Sequence, residues 1–342
     1  GTPEEMNDKG RPERGIQITL NSSALGLPAI RLKRPPLVLV HGTWGTPTST
    51  WSEFKPIVDG DGGRYIVTLA DYSELPFSSV GSLNLNYPAI PNAIKDALKE
   101  TLSKKLAATK VDIITHSLGG LVAREYCRRE SQASSQTIRK IITLDTPHLG
   151  TELASELKNR RFLRAFADAG LFITRFFGAP AFDGLAIDDQ AVDSRALRDL
   201  QQFPMTIPMH TVVGKTPDLN WGYVDATSQL WQSLRRWFKL VPDESFPLQQ
   251  TIITAKGDVK VIICRPVFPA LDDPDAGRND RIVSMRSQKN GNTINMTVYE
   301  NVDHVTIHGD RDVPIAPVIT NCVNQLLDAG ENDPIWIQGC TQ

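Results

Sequence analysis

The chain has 342 residues, a formal net charge of −2, and 40% hydrophobic against 22% charged residues. That balance belongs to a folded globular protein, excludes a disordered one, and leaves no basic footprint for nucleic acid. No apolar run reaches the ~20 residues that a membrane-spanning helix needs, so no transmembrane segment is expected. Basic residues at helical spacing, Arg124 with Arg128 and Arg129, and Arg160 and Arg161 with Arg164, read as solvated helix faces. Gly1 to Arg14 is polar and has no apolar core, so it is not a signal peptide. A start at Gly fits removal of an export signal, and a secreted or periplasmic location is expected. Of the four cysteines, none has zinc-site spacing; Cys322 and Cys340 either pair, which would favour an oxidising compartment, or stay as thiols.

In chain order, Leu37 to Val40 is a buried strand running into His41-Gly42, and Tyr65 to Ala70 is a second strand. Ile90 to Leu106 is a helix with Ile94, Leu98, Leu102 and Leu106 as its apolar face. Val111 to Thr115 is a third strand, followed directly by a helix from Leu118 to Arg129. Strands follow at Ile141 to Leu144, Ile207 to Val213 and Thr293 to Tyr299, then a terminal helix from Pro317 to Leu327. This alternation predicts an α/β fold with a mostly parallel central sheet flanked by helices. Residues 1–157 and 269–342 are read as the two parts of that core. Two insertions, 158–205 and 215–268, are read as a cap or lid. Phe162, Phe166, Phe172, Phe176, Phe177 and Phe182 in the first are half of the chain's twelve Phe, and the second holds Trp221, Trp231 and Trp237 with a hairpin turning at Lys256 to Asp258.

The sharpest signal is Val111 to Gly120, in which a buried strand meets a helix through one turn with Ser117 at its apex. Such an elbow exposes the serine hydroxyl and crowds the positions two before and two after it, where small residues are wanted. Gly119 meets that need; Thr115 departs from the usual Gly. A plain helix N-cap is the competing reading of Ser117. The elbow aims the Leu118 amide, at a helix N-terminus, toward developing negative charge. After the first strand, His41-Gly42-Thr43-Trp44-Gly45 is where a second oxyanion amide is expected, with Thr43 the candidate donor and His41 structural. Asp145 to Gly150 is read as a loop fixed beside the nucleophile.

At these residues the chain resembles a known family. Val-His-Gly-Thr-Trp-Gly (40–45), Thr-His-Ser-Leu-Gly-Gly (115–120), Thr-Pro-His-Leu-Gly-Thr (146–151) and Asn-Asp-Arg-Ile-Val-Ser (279–284) recur in this order in bacterial lipases and the wider lipase/esterase group of α/β-hydrolases. The resemblance spans roughly residues 36–327 and is weakest in the insertions. It implies an α/β-hydrolase fold, carboxylic ester or lipid substrates, and a Ser-acid-His order along the chain.

A serine needs a base, and the base an orienting acid. His304, directly after the last strand, matches the family's base position, with His308 the runner-up. Asp280 is the candidate acid, with Asp145 the alternative because some relatives carry the acid on that earlier strand. Trp44, Phe162, Phe166, Phe172, Phe176 and Phe177 are candidate acyl-pocket residues. Asp272, Asp273 and Asp275 beside Asp280 suggest a structural calcium site, although a solvated acidic turn explains them as well, and no cofactor is required. Transient contact with a lipid interface is expected of a lipase. Acyl transfer or amide cleavage by the same three residues, and a non-catalytic hydrolase-fold binding protein, are the competing functions.

Overall fold

The apolar runs assemble into one six-stranded sheet in which every pair of neighbours is parallel. Its strands are β1 (Leu37–Val40), β2 (Val67–Ala70), β3 (Val111–His116), β4 (Ile138–Leu144), β5 (Met209–Lys215) and β6 (Asn295–Glu300). The spatial order is β2-β1-β3-β4-β5-β6. The computed structural model describes residues 13–16, 19–20, 23–24, 30–43, 45–60, 63–73, 82–159, 185–215, 221–226, 248–253, 259–266, 280, 282–290, 295–300, 302, 304 and 317–340.

A parallel sheet is covered on both faces, so its strands alternate between two cores rather than between core and water. Val38, Val40, Ile113 and Ile141 enter one core, and Leu37, Leu39, Ile114, Ile142 and Leu144 enter the other. Helices α1 (Ala89–Ser103) and α2 (Leu118–Arg129) cover the first, joined by Leu197 and Leu200 of the helix Arg195–Gln202. The second is covered by Trp51, Phe54, the helix Pro317–Asp328 and Trp336.

The strands lie where the apolar pattern puts them, within three residues at their ends, but the face of α1 differs. Ile90, Ala93, Ile94, Ala97 and Thr101 are buried, whereas Leu102 is 75% exposed and Leu106 lies beyond the helix. Steps of four residues rotate about 40° each around a helix, so a row from Ile94 to Leu106 winds off the buried stripe. The chain leaves the helix at Lys105, whose φ is 57°. Arg124 corrects a second expectation: it is buried, donating to the Leu200 carbonyl at 3.1 Å and to His148 Nδ1 at 3.1 Å. Its neighbours Arg128 and Arg129 both pair with Glu125.

The expected hairpin is present, Leu248–Ile253 pairing antiparallel with Val259–Pro266, and Trp221–Ala226 adds an unforeseen third strand. Cys322 and Cys340 form a disulfide.

The order β2-β1-β3 makes β1 and β3 the point where the chain turns in opposite directions. Loops leaving the C-terminal ends of such a strand pair diverge and leave a crevice. The loop after β1 carries Gly42 and Thr43, and the loop after β3 is the single residue Ser117.

Candidate active site

Ser117 sits between the last residue of β3 and the first of α2, with φ 53° and ψ −128°. A non-glycine residue adopts such a backbone only when its surroundings hold it there. They do: the Ser117 amide donates to the Leu144 carbonyl at 3.0 Å, and the Gly120 amide donates to the Ser117 carbonyl at 3.1 Å. Two glycines allow the close approach. A Cβ on Gly119 would lie 2.5 Å from the Val40 carbonyl oxygen, and one on Gly42 would lie 2.9 Å from Ser117 Cβ. Helix α2 and the loop after β1 therefore close around the serine with no room for side chains. Thr115, at the position where the elbow usually has Gly, is fully buried without disturbing this turn.

The Ser117 hydroxyl lies 2.9 Å from His304 Nε2, and His304 Nδ1 lies 2.7 Å from Asp280 Oδ2. All three residues are buried. Since a carboxylate only accepts, Nδ1–H donates to Asp280 and Nε2 faces the serine as an acceptor. Asp280 Oδ1 accepts the amides of Ile282 at 3.0 Å and Val283 at 2.7 Å, and the Asp280 carbonyl accepts the His304 amide at 2.8 Å. The carboxylate is thus held by the histidine and two amides. Asp272, Asp273, Asp275 and His308 lie outside the described residues.

Asp145, the alternative acid, also has a left-handed backbone (φ 51°), and its Oδ1 accepts the Gly214 amide at 2.8 Å. Asp145, His116 and His304 each offer an atom within 4.8 Å of the others. Both nitrogens of His304 already face Ser117 and Asp280, so this trio is poorly arranged to hold a metal.

Four other histidines are buried and held neutral, three of them at this edge of the sheet and His210 near the start of β5. Desolvation, and then the nearby His304, hold His116 well below its ordinary value. Its Nε2–H donates to the His304 carbonyl at 3.0 Å, so it supports the base from behind. Desolvation pushes His41 down to about 4. Its Nδ1–H donates at 3.0 Å to the Gly42 carbonyl, which also accepts the Gly45 amide at 3.3 Å. In a trans peptide the carbonyl of Gly42 and the N–H of Thr43 point oppositely. Fixing one fixes the other. His148, lowered by desolvation and Arg124, sits between Arg124 and Thr143 Oγ1. His210, lowered to about 4 by desolvation, bridges Thr297 and the Trp336 carbonyl.

Several contributors escape a reading of the sequence. Tyr72 stacks on His41 with ring centroids 3.9 Å apart and donates to the His41 carbonyl. Gln288 is fully buried; its Oε1 accepts the Gly214 amide at 3.0 Å and its Nε2 donates to the Gly214 carbonyl at 3.0 Å. It thereby docks the Asp280 loop on the end of β5. Thr151 Oγ1 donates to the Ile282 carbonyl, and Ser287 Oγ donates to the Gly150 carbonyl at 2.6 Å, tying that loop to the one after β4. Tyrosines and glutamines are too common along a chain for spacing to single these out. Thr43 lies on the rim of the crevice, and Leu118 opens α2 with its amide among the helix's unpaired first-turn donors. Trp44, Phe162, Phe166, Phe172, Phe176 and Phe177 fall outside the described residues.

A family model described as a domain of unknown function (DUF7379) matches residues 21–189. The chain is similar to a triacylglycerol lipase of Burkholderia plantarii, 27% identical over 146 residues, a stretch that is 41% of this chain and 37% of that one. It therefore spans well under half the length of that curated relative. Among solved structures it is similar to Staphylococcus hyicus lipase, with TM-score 0.45 and 14% identity over 79% of this chain and 87% of that one. Mature Bacillus licheniformis lipase BlEst2 is similar at TM-score 0.42 and 13% identity, over 79% and 85% of the two chains. The resemblance to lipases carried by the motifs is met again in the partial match to the Burkholderia plantarii lipase. The α/β-hydrolase fold rests on the chain's own strand order and strand-turn-helix elbow.

Proposed function

We propose that the chain is a serine carboxylic ester hydrolase, a lipase or carboxylesterase, working through an acyl-enzyme. One observation carries this reading: the unbroken hydrogen-bond chain from Ser117 Oγ to His304 Nε2 (2.9 Å) and from His304 Nδ1 to Asp280 Oδ2 (2.7 Å). His304 takes the hydroxyl proton as Ser117 attacks the ester carbonyl, and Asp280 holds the ring and stabilises the imidazolium. The amides of Thr43 and Leu118 receive the oxyanion. His304 then returns the proton to the leaving alcohol, and water repeats the sequence to free the acid.

The motifs and the similarity to a triacylglycerol lipase support an ester or lipid substrate. The Phe-rich segment from Phe162 to Phe182 is proposed as acyl-binding on its composition. The Cys322–Cys340 bond supports a location in an oxidising compartment.

The test is a rate profile over p-nitrophenyl esters of rising acyl length, with and without emulsified triglyceride, for the parent chain and Ser117→Ala. The expected result is hydrolysis that rises beyond acetyl, since each buried methylene adds about 0.8 kcal/mol, and vanishes in the variant. Undiminished hydrolysis by Ser117→Ala would overturn the assignment. Activity confined to acetyl esters would remove the acyl pocket and leave the esterase.

A further inference from the structure

The last residue of the helix Leu185–Gln190 reaches across to the loop after β1. Gln190 is buried, and its side-chain Nε2 donates to Thr43 Oγ1 at 3.0 Å and to the Ala186 carbonyl at 3.1 Å. An amide nitrogen has two protons, so both are committed. Its main chain is held just as firmly, the Gln190 carbonyl accepting the Thr151 amide at 2.9 Å. Gly150, at φ 93°, leaves no slack beneath it, because a Cβ there would come within 2.7 Å of the Gln190 carbonyl oxygen. Through Gly150 and Thr151 that anchor continues into the loop carrying Asp280.

The other supports of the loop after β1 act before Thr43. Tyr72 grips the His41 carbonyl, and the His41 ring and the Gly45 amide grip the Gly42 carbonyl. They set the direction of the Thr43 N–H, and Gln190 holds the Thr43 side chain. A donor aimed at developing charge is effective only when it does not have to reorganise as the charge appears.

We propose that Gln190 is a positioning residue for the oxyanion site, pinning Thr43 through its hydroxyl so that its amide stays aimed into the crevice beside Ser117. This rests on the ester-hydrolase reading above and adds to it a residue from the helix that follows the Phe-rich segment. Because the Thr43 oxygen accepts from Gln190, its own proton points away from the glutamine. The pin therefore needs a hydroxyl at position 43 and a donor at position 190, and either alone is useless.

The test is a cycle of Gln190→Met, Thr43→Val and the double variant, with Thr43→Ser as the conservative control. Each variant is assayed with p-nitrophenyl butyrate and with an alkyl boronic acid as tetrahedral mimic. Removing a direct oxyanion donor lowers kcat by ~10²–10³-fold, so loss of a positioning contact is expected to lower it about 10-fold, with KM changed less than about twofold. Boronate affinity should fall in step with kcat, the double variant should be no worse than the poorer single one, and Thr43→Ser, which keeps the hydroxyl, should retain more kcat than Thr43→Val. Unchanged kcat and boronate affinity in Gln190→Met, or effects that multiply in the double variant, would overturn the proposal. Should Gln190→Met fail to fold, Thr43→Val against Thr43→Ser decides, equal kcat in the two overturning it. Fluorophosphonate labelling of Ser117 is run on every variant. Absent labelling, or full activity in Ser117→Ala, would instead count against the ester-hydrolase reading itself.

Discussion

The two edges of the parallel sheet solve opposite problems with different chemistry. At the C-terminal edge, Ser117 and Asp145 hold left-handed backbones, glycines bring main chains into contact, and buried histidines stay neutral. At the N-terminal edge, beside the neutral His210, four cations meet the end of one helix. Lys140 donates to the carbonyls of Leu326, Leu327 and Ala329, and Arg139 pairs with Asp112 and also reaches the Leu327 carbonyl. Arg34 and Arg64 both hold Asp328. These four positive side chains gather at the C-terminal end of the helix Pro317–Asp328, where the helix dipole is negative. One edge carries strain and aimed polar atoms; the other carries charge neutralisation. Sites that work must hold unfavourable geometry, and the stability that permits it is supplied elsewhere.

This contrast predicts that changes at one edge abolish turnover and leave folding intact, while changes at the other do the reverse. The largest effect is expected at Ser117→Ala, a loss of about 10⁴-fold or more in ester hydrolysis with an unaltered circular dichroism spectrum. Asp280→Asn should lower kcat by roughly 10⁴-fold through the wrong histidine tautomer. Asp145→Asn should lower it far less, and the reverse ranking would move the orienting acid to β4. At the opposite edge, Lys140→Met takes the lysine donor from the Leu326 and Ala329 carbonyls, leaves Arg139 on Leu327, and should cost about 3 kcal/mol in urea unfolding. Its kcat, measured on the folded fraction, should match the parent; a lowered kcat would break the division between the edges.

A smaller effect concerns pH. His41 and His210 ionise at about 4 in the folded chain and at about 6.5 when unfolded. Below 6.5 the unfolded chain binds protons that the folded one refuses, so stability is full above that pH and declines as pH falls toward 4. The expected decline is about 2 kcal/mol per histidine by pH 5. Urea melts at pH 7.5 and pH 5.0 measure it, and His210→Asn should flatten the dependence.

Much of this architecture was legible because its signals are local. The run Val111 to Gly120 carries strand, turn and helix in ten consecutive letters, and Ser117 to Arg129 needs no distant partner to be read. The start of β4 was missed because Arg139 and Lys140 look like surface residues, and the partners that bury Lys140 lie nearly two hundred positions away. Arg124 deceived for the same reason: its partners His148 and Leu200 come from other elements. Ser117, His304 and Asp280, now joined by hydrogen bonds, were chosen from a strand-turn-helix elbow, a chain order and a resemblance to lipases. Tyr72, Gln190 and Gln288 are held by one or two long-range hydrogen bonds each, which leave no periodicity behind. The pairing of Cys322 with Cys340 stayed open because a separation of 18 residues allows a bond without requiring one.

Lys140 also sets an order of assembly. It lies on a central strand, yet the three carbonyls that receive its ammonium come from residues 326–329, far downstream. As the chain leaves the ribosome, β4 emerges long before its partners. Until residue 329 has been made, the sheet's N-terminal edge must either keep that lysine in water or bury an uncompensated charge. The second choice is prohibitive, so the edge stays open and wet. Docking of the helix Pro317–Asp328 is therefore the event that covers this edge. His304 and Asp280 arrive in the same late stretch of synthesis. An emerging chain has its serine in hand early and gains its base only as the latch comes within reach.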